Sequence, residues 1–325
     1  MARPALCIVT PALADANNGN WQTAKRWAQM LSGQYRVRLR CAWPDGEDAD
    51  VLLALHARRS AASVAAWAQA HPDRPLVLAL TGTDLYKDIH DNADAQRSLE
   101  LAHRLIVLQA QGVAELPNPL RAKTRVLYQS STPRQTAVKT RKHLRVVMVG
   151  HLRDEKWPQV LWQAVQHIAP DEGICIDHIG KALDPALGGE ATRVAREHPH
   201  YRWLGELPHA ATRQHIQRAH VLVHTSRIEG GAHVIMEAVL SGTPVLASRI
   251  SGNVGMLGED YPGYFAPGDA SALAHLLRLC RQTLADPHSQ LAQLQRACEA
   301  RATLFLPARE QATLLAVVNE CLATR

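Results

Sequence analysis

Phenylalanine is nearly missing from this sequence: two occur in 325 residues, beside seven tryptophans. Its cores must therefore be mainly aliphatic. No apolar run approaches the ~20 residues that span a bilayer. No charged-then-apolar leader precedes the first strand-length run, and the expectation is a cytoplasmic protein. Six cysteines stand at positions 7, 41, 175, 280, 298 and 321, with no C-x-x-C pair. Cys7, Cys41 and Cys175 fall in strand-like runs and read as buried thiols, which fits a reducing compartment and argues against a zinc site. Neither half has G-x-G-x-x-G after its first strand, and no G-x-x-x-x-G-K-[ST] occurs, so a nicotinamide dehydrogenase is disfavoured. Nucleic-acid motifs are absent too. The net charge of +6, with a pI near 9.1, is carried by dispersed residues. It therefore suits small anionic substrates better than a nucleic acid.

What the chain does have is alternation. Short β-prone runs and helix-length amphipathic stretches succeed one another, the signature of parallel α/β sheets. Strands are expected at Ala5–Thr10, Tyr35–Ala42, Val51–His56, Leu76–Leu80, Arg104–Leu108 and Arg125–Tyr128, with helices at Trp21–Leu31 and Ser60–Ala70. Residues 131–143 are polar, basic and proline-bearing, and read as a linker. Strands resume at residues 144–150, Cys175–Ile179, Tyr201–Leu204, His220–His224 and Pro244–Ala247. From Ser271 the chain is helical, interrupted near Pro287 and Pro307. The implied division is a first domain over residues 1–138, joined by a terminal helix at about 308–325, and a second over 139–307.

The most informative segment is SRIEGGAHVIMEAVLSG, residues 226–242. Glu229 should lie in a strand-to-helix turn and Glu237 about two turns into the helix. Gly230 and Gly231 let backbone approach a ligand, and amides of the first helical turn favour an anion. Two carboxylates would repel a bare phosphate. They suit a ligand that also carries hydroxyls, and a nucleotide-sugar diphosphate meets every demand.

This segment resembles the paired-glutamate signature of the retaining, GT-B-fold glycosyltransferases of family 4. Four more runs resemble that family in order: VVMVGHLRDEKWP (146–158), SGTPVLASR (241–249), SGNVGMLG (251–258) and FAPGDASALA (265–274). The resemblance implies two Rossmann-like, doubly wound parallel-sheet domains facing across a cleft, with the last helix crossing back to the first. It also implies roles. Glu237 would hold ribose hydroxyls and Glu229 those of the transferred sugar. The amides of Gly231, Ala232 and His233 would face the diphosphate, while the His233 side chain is either a donor or a helix-surface group. Lys156 and Arg153, on the loop after Gly150, would clamp the departing nucleotide. His151 stands where the family has arginine. Leu204 and Leu207, in WLGELP, sit where backbone reads the base. No D-x-D follows a strand end in the expected place, so the expectation is catalysis without a metal or other cofactor.

The first half is less typical. Asn17, Asn18, Gly19 and Asn20 occupy a loop where relatives carry glycines. His56, Arg58 and Arg59 follow a strand, although the arginines also read as a solvated helical turn. Thr81 replaces a histidine common in the family, and Thr83 and Asp84 follow it, which helix capping explains equally well. Together LHARRSA, LTGTDLY, GHLRDEKWP and SRIEGGAHVIMEA look like the selenosugar synthases of the selenoneine pathway. That resemblance implies transfer of N-acetylglucosamine from UDP-N-acetylglucosamine to selenophosphate, forming a carbon–selenium bond and releasing UDP and phosphate. It also implies links to a selenophosphate synthetase and a selenoneine-forming enzyme. On this reading Asn17–Asn20, His56, Arg58, Arg59, Thr81 and Thr83 form the acceptor pocket. An ordinary family 4 enzyme with a sugar, lipid or metabolite acceptor is the second reading. A nucleotide-sugar isomerase or binding protein is the third.

Overall fold

The computed structural model describes residues 3–12, 19–43, 48–284, 286 and 288–323. It divides into two units, residues 1–129 with 307–325, and residues 130–306. The division falls at Gln129/Ser130 and not at 138/139 because the basic segment is tied to the second unit. Buried Arg213 donates from Nη1 to Ser131 Oγ (2.6 Å) and from Nη2 to Thr132 O (2.9 Å). Arg134 N donates to Leu240 O at 2.8 Å, and Lys139 Nζ to Gly242 O at 3.0 Å. Polar composition announced a linker; the partners of its polar groups made it part of a domain.

The first unit is a six-stranded, all-parallel sheet in the order β2-β1-β3-β4-β5-β6. Its strands are β1 (Ala5–Val9), β2 (Arg36–Arg40), β3 (Val51–Leu55), β4 (Leu76–Leu80), β5 (Arg104–Val107) and β6 (Thr124–Val126). β1, β3 and β4 are buried at every residue, as strands covered on both faces must be. β2 alternates exposed and half-buried residues because it is an edge. The helix Gly19–Leu31 buries Thr23, Ala24, Trp27 and Leu31, one face at three-to-four spacing. Against it packs the last helix, Pro307–Ala323. There the buried Glu310 accepts from Trp27 Nε1 (2.7 Å) and from Arg26 Nε (3.0 Å). The final helix thus belongs to the first unit.

The second unit repeats the plan, with order β12-β11-β10-β7-β8-β9. Its strands are β7 (Leu144–Val149), β8 (Ile174–Ile179), β9 (Tyr201–Trp203), β10 (Val221–His224), β11 (Val245–Ser248) and the two-residue β12 (Tyr264–Phe265), which the sequence reading missed. Helices Ala270–Gln282 and Gln290–Arg301 follow; Pro287 lies outside the described residues. Cys7 is buried as expected, but Cys41 and Cys175 are exposed. Cys41 follows an edge strand, and Cys175 is the exposed second residue of β8. No helix among the described residues is long and apolar enough to cross a membrane.

Candidate functional site

In the second unit, loops leaving the carboxyl ends of β7 and β10 converge. The β7 loop makes a short turn at Asp154–Lys156, followed by Trp157 with φ of +46°. Trp157 stacks beneath the Arg227 guanidinium at 3.8 Å, and Thr225 Oγ1 donates to Lys156 O at 2.8 Å. The Lys156 stem crosses Gly150, where an added Cβ would sit 3.3 Å from its Cδ. That path delivers Lys156 Nζ to within 2.5 Å of Glu229 Oε1.

Glu229 lies in the turn after β10, and Glu237 lies in the helix His233–Val239. The helix begins at His233, so Glu237 is little more than one turn in, closer to the end than its expected two turns. Buried His224, the last residue of β10, sets Nε2 3.3 Å from the same Glu229 oxygen. Burial alone would raise the Glu229 pKa. The Lys156 charge and the His224 bond overcome it and hold the carboxyl well below the usual range. Packing from the far side is tight: a Cβ on Gly252 would lie 2.0 Å from Glu229 O. Only glycine lets the helix Ser251–Leu257 approach this turn.

Glu237 has its own pair of cations. His209 Nε2 bonds its Oε1 at 2.7 Å, and Arg213 Nη1 lies 3.9 Å from that oxygen. Bonding to Glu237 raises the His209 pKa against the opposing effect of burial. All these contacts fall on Oε1 of each glutamate, and no described residue hydrogen-bonds either Oε2. Two carboxylates are therefore anchored by one oxygen and open at the other, an arrangement suited to hydroxyl donors.

The remaining expected donor-side residues are placed unevenly. The Ala232 amide bonds Met256 Sδ at 3.1 Å, so it is not turned to a diphosphate as expected. The helix it precedes has only seven residues and offers a weak dipole. Gly230 is buried; Gly231 and His233 are half-buried in the same turn. His151 Nδ1 accepts from Lys181 N at 3.1 Å; burial, then the surrounding cations, pull its pKa down against the pull of Glu206. A neutral ring is a poor substitute for the arginine that the sequence resemblance implies at this position. Arg153 is half-exposed, with Glu155 3.8 Å away, and is the cation left available on that loop. Leu204 N donates to His178 O at 2.8 Å, and Leu207 precedes the helix His209–Arg218 that carries the Glu237 partners. Sequence reasoning overlooked His209, His224, Arg213 and Gly252. Position gave one clue: the histidine of VLVHT ends an otherwise apolar strand.

In the first unit the segments after β3 and β4 meet around Asp84. Wholly buried, Asp84 accepts from Ala57 N (3.0 Å), Thr81 N (2.9 Å) and Gly82 N (2.8 Å). His56, at φ of +74°, is buried with Nε2 3.3 Å from Thr83 Oγ1. Burial lowers its pKa, partly offset by Asp84 and Asp88. Arg58 spends its charge on Asp88 at 2.9 Å, whereas Arg59 is exposed with no ion pair to a described residue. Gly19 and Asn20 open the first helix; Asn17 and Asn18 lie outside the described residues.

Residues 143–282 match the model of a family described as group 1 glycosyl transferases. The chain is similar to HepE of Anabaena, solved in complex with UDP, with 17% identity over 98% of this chain and 99% of that one and a TM-score of 0.73. It is similar to the sucrose-phosphate synthase of Thermosynechococcus elongatus, with 16% identity over 100% of both chains and a TM-score of 0.74. The pneumococcal O-GlcNAc transferase GtfA, solved with UDP and GlcNAc, matches at 17% identity over 83% of this chain and 57% of that one, with a TM-score of 0.62. The fold is GT-B, two parallel α/β sheets with helices, as expected.

Proposed function

We propose that this chain is a UDP-sugar-dependent glycosyltransferase whose donor site is the Glu229–Glu237 turn. The observation that carries the reading is the shared state of the two glutamates, each pinned at Oε1 and open at Oε2. Glu237 receives ribose hydroxyls and Glu229 those of the sugar. Lys156, now on Glu229, swings to the diphosphate, where its charge and that of Arg153 stabilise the leaving nucleotide. Neighbours solved with UDP and with UDP-glucose support this choice of nucleotide.

The narrower reading is N-acetylglucosamine transfer to selenophosphate. Selenium attacks the anomeric carbon, the bond to UDP breaks, and water later cleaves the selenium–phosphorus bond to release phosphate. An already anionic nucleophile needs little base catalysis, which agrees with Thr81 in place of a histidine. Arg59 is a better acceptor cation than Arg58, whose charge Asp88 occupies. That same engagement of Arg58 favours, as the second reading, a less anionic acceptor. Metal-independent turnover belongs to the proposal. The deciding experiment supplies UDP-N-acetylglucosamine with selenophosphate, with and without chelator. UDP release coupled to a selenium-containing sugar is expected. Activity with sugar acceptors alone would transfer the case to the second reading, and abolition by chelator would end the claim of metal independence.

A further inference from the structure

β10 runs between β7 and β11 and is apolar until its last residue. An imidazole is costly there, and among the described residues His224 is the one histidine paired with Glu229. Its ring faces two different flanks. On one, Nε2 meets Glu229 Oε1, the oxygen Lys156 already holds. On the other, the Asn253 side chain lies close enough to favour a charged ring. Yet His224 Nδ1 and Asn253 Oδ1 are both buried without a hydrogen-bond partner. A neutral imidazole has one N–H and can serve one flank; an imidazolium has two and can serve both. What opposes the second proton is burial first, then the neighbouring ammonium of Lys156. Glu229 and Lys156 are the titratable groups that face the ring, with Asn253 and Ser226 completing its surroundings.

Moving Lys156 changes this balance. A buried carboxylate that loses its partner is destabilised by several kcal/mol, and the nearest group able to take a charge is His224. We propose that His224 is a positioning residue that replaces Lys156: when a nucleoside diphosphate draws the ammonium away, His224 takes one proton from solvent, and its imidazolium becomes the counter-charge of Glu229. The proton returns to solvent when the nucleotide leaves and Lys156 falls back. Glu229 thereby stays ionised, with Oε2 aimed at the sugar throughout the cycle. The inference rests on the donor-site reading above.

Calorimetric titration with UDP at neutral pH, in two buffers of different ionisation enthalpy, counts the protons. Uptake approaching one proton per UDP is expected, and affinity should weaken as pH rises, by up to about tenfold per unit. In Lys156→Ala the ring is already charged, so UDP binds more weakly and without uptake. In His224→Gln the uptake disappears as well. A histidine that merely packs would leave proton counts unchanged. UDP binding without uptake, or uptake that survives in His224→Gln, overturns the inference but spares the donor site. No UDP binding by the unmodified protein overturns the donor site and this inference with it. Should His224→Gln fail to fold, the buffer pair on the unmodified protein and on Lys156→Ala decides alone.

Discussion

Two glutamates eight residues apart, each beside a histidine and a second cation, occupy opposite electrostatic settings. Beside Glu229 the His224 side chain is 3% exposed, while beside Glu237 the His209 side chain is 75% exposed. Burial drives the first ring toward neutrality, and the carboxylate bond draws the second toward charge. Their other cations reverse the order: Lys156 is 16% exposed and its ammonium is held by one carboxylate bond on a flexible stem, whereas Arg213 is 3% exposed and fixed by three bonds. Under the proposed function, the Glu229 cluster rearranges as the leaving group departs and the Glu237 cluster holds still to bind. On that proposal the same residue type serves turnover in one place and affinity in the other because its neighbours differ in how many bonds hold them.

The comparison breaks most visibly at Lys156. Lys156→Ala should lower the turnover number on the order of a thousandfold, the scale for losing one group that stabilises transition-state charge. A near-normal rate measured at saturating donor would pass the clamp to Arg153 and His151. Gly252→Ala comes next. Its Cβ would collide with the Glu229 carbonyl, so backbone must move, at a cost of about 2 kcal/mol or more, and turnover should fall with little change in UDP affinity. Unfolding and kinetic measurements read the two effects separately, and an unaffected rate would show that the turn tolerates displacement.

Glu237→Ala should raise the UDP dissociation constant about tenfold to a hundredfold, from a loss of ~1.5 to 3 kcal/mol. Glu229→Ala should act on turnover by a similar factor and leave UDP binding nearly intact. Equal effects of both variants on both quantities would erase the contrast between the two clusters. The smallest effect belongs to His209→Ala, within about 0.5 kcal/mol of stability, because solvent screens the exposed imidazole and Arg213 remains beside Glu237. Its sign is fixed. With the folded pKa raised above the ordinary 6.5, the pair stabilises fully below that value and its contribution fades as pH climbs through the raised one. A stability difference between parent and variant that grows toward alkaline pH would contradict this assignment.

Strand by strand, the sheets were legible because period and β-branching are local: Leu76–Leu80 coincides with its expected limits, and most other strands differ by one or two residues at either end. β12, two residues long, has too little pattern to be seen. The glutamates and Lys156 were legible through motif order, although the helix carrying Glu237 starts late. The exposed thiols of Cys41 and Cys175 were misread because a strand-like run does not say which face a helix will cover. Nor does spacing say that Arg58 pairs with Asp88, thirty residues on, or that Ala232 gives its amide to Met256.

By itself, then, the sequence determined two parallel α/β sheets, the order of the Gly150-loop and paired-glutamate segments, and the chemical types brought to them. Tertiary structure alone decided which oxygen of each glutamate is occupied, which histidine is buried, and that the basic segment after Gln129 belongs to the second unit. The reason is range. Periodicity and turn chemistry act over a few neighbours along the chain. Charge pairing and desolvation depend on distances of a few ångströms between residues such as Lys156 and Glu229, which are separated by a whole β-α-β crossover and more.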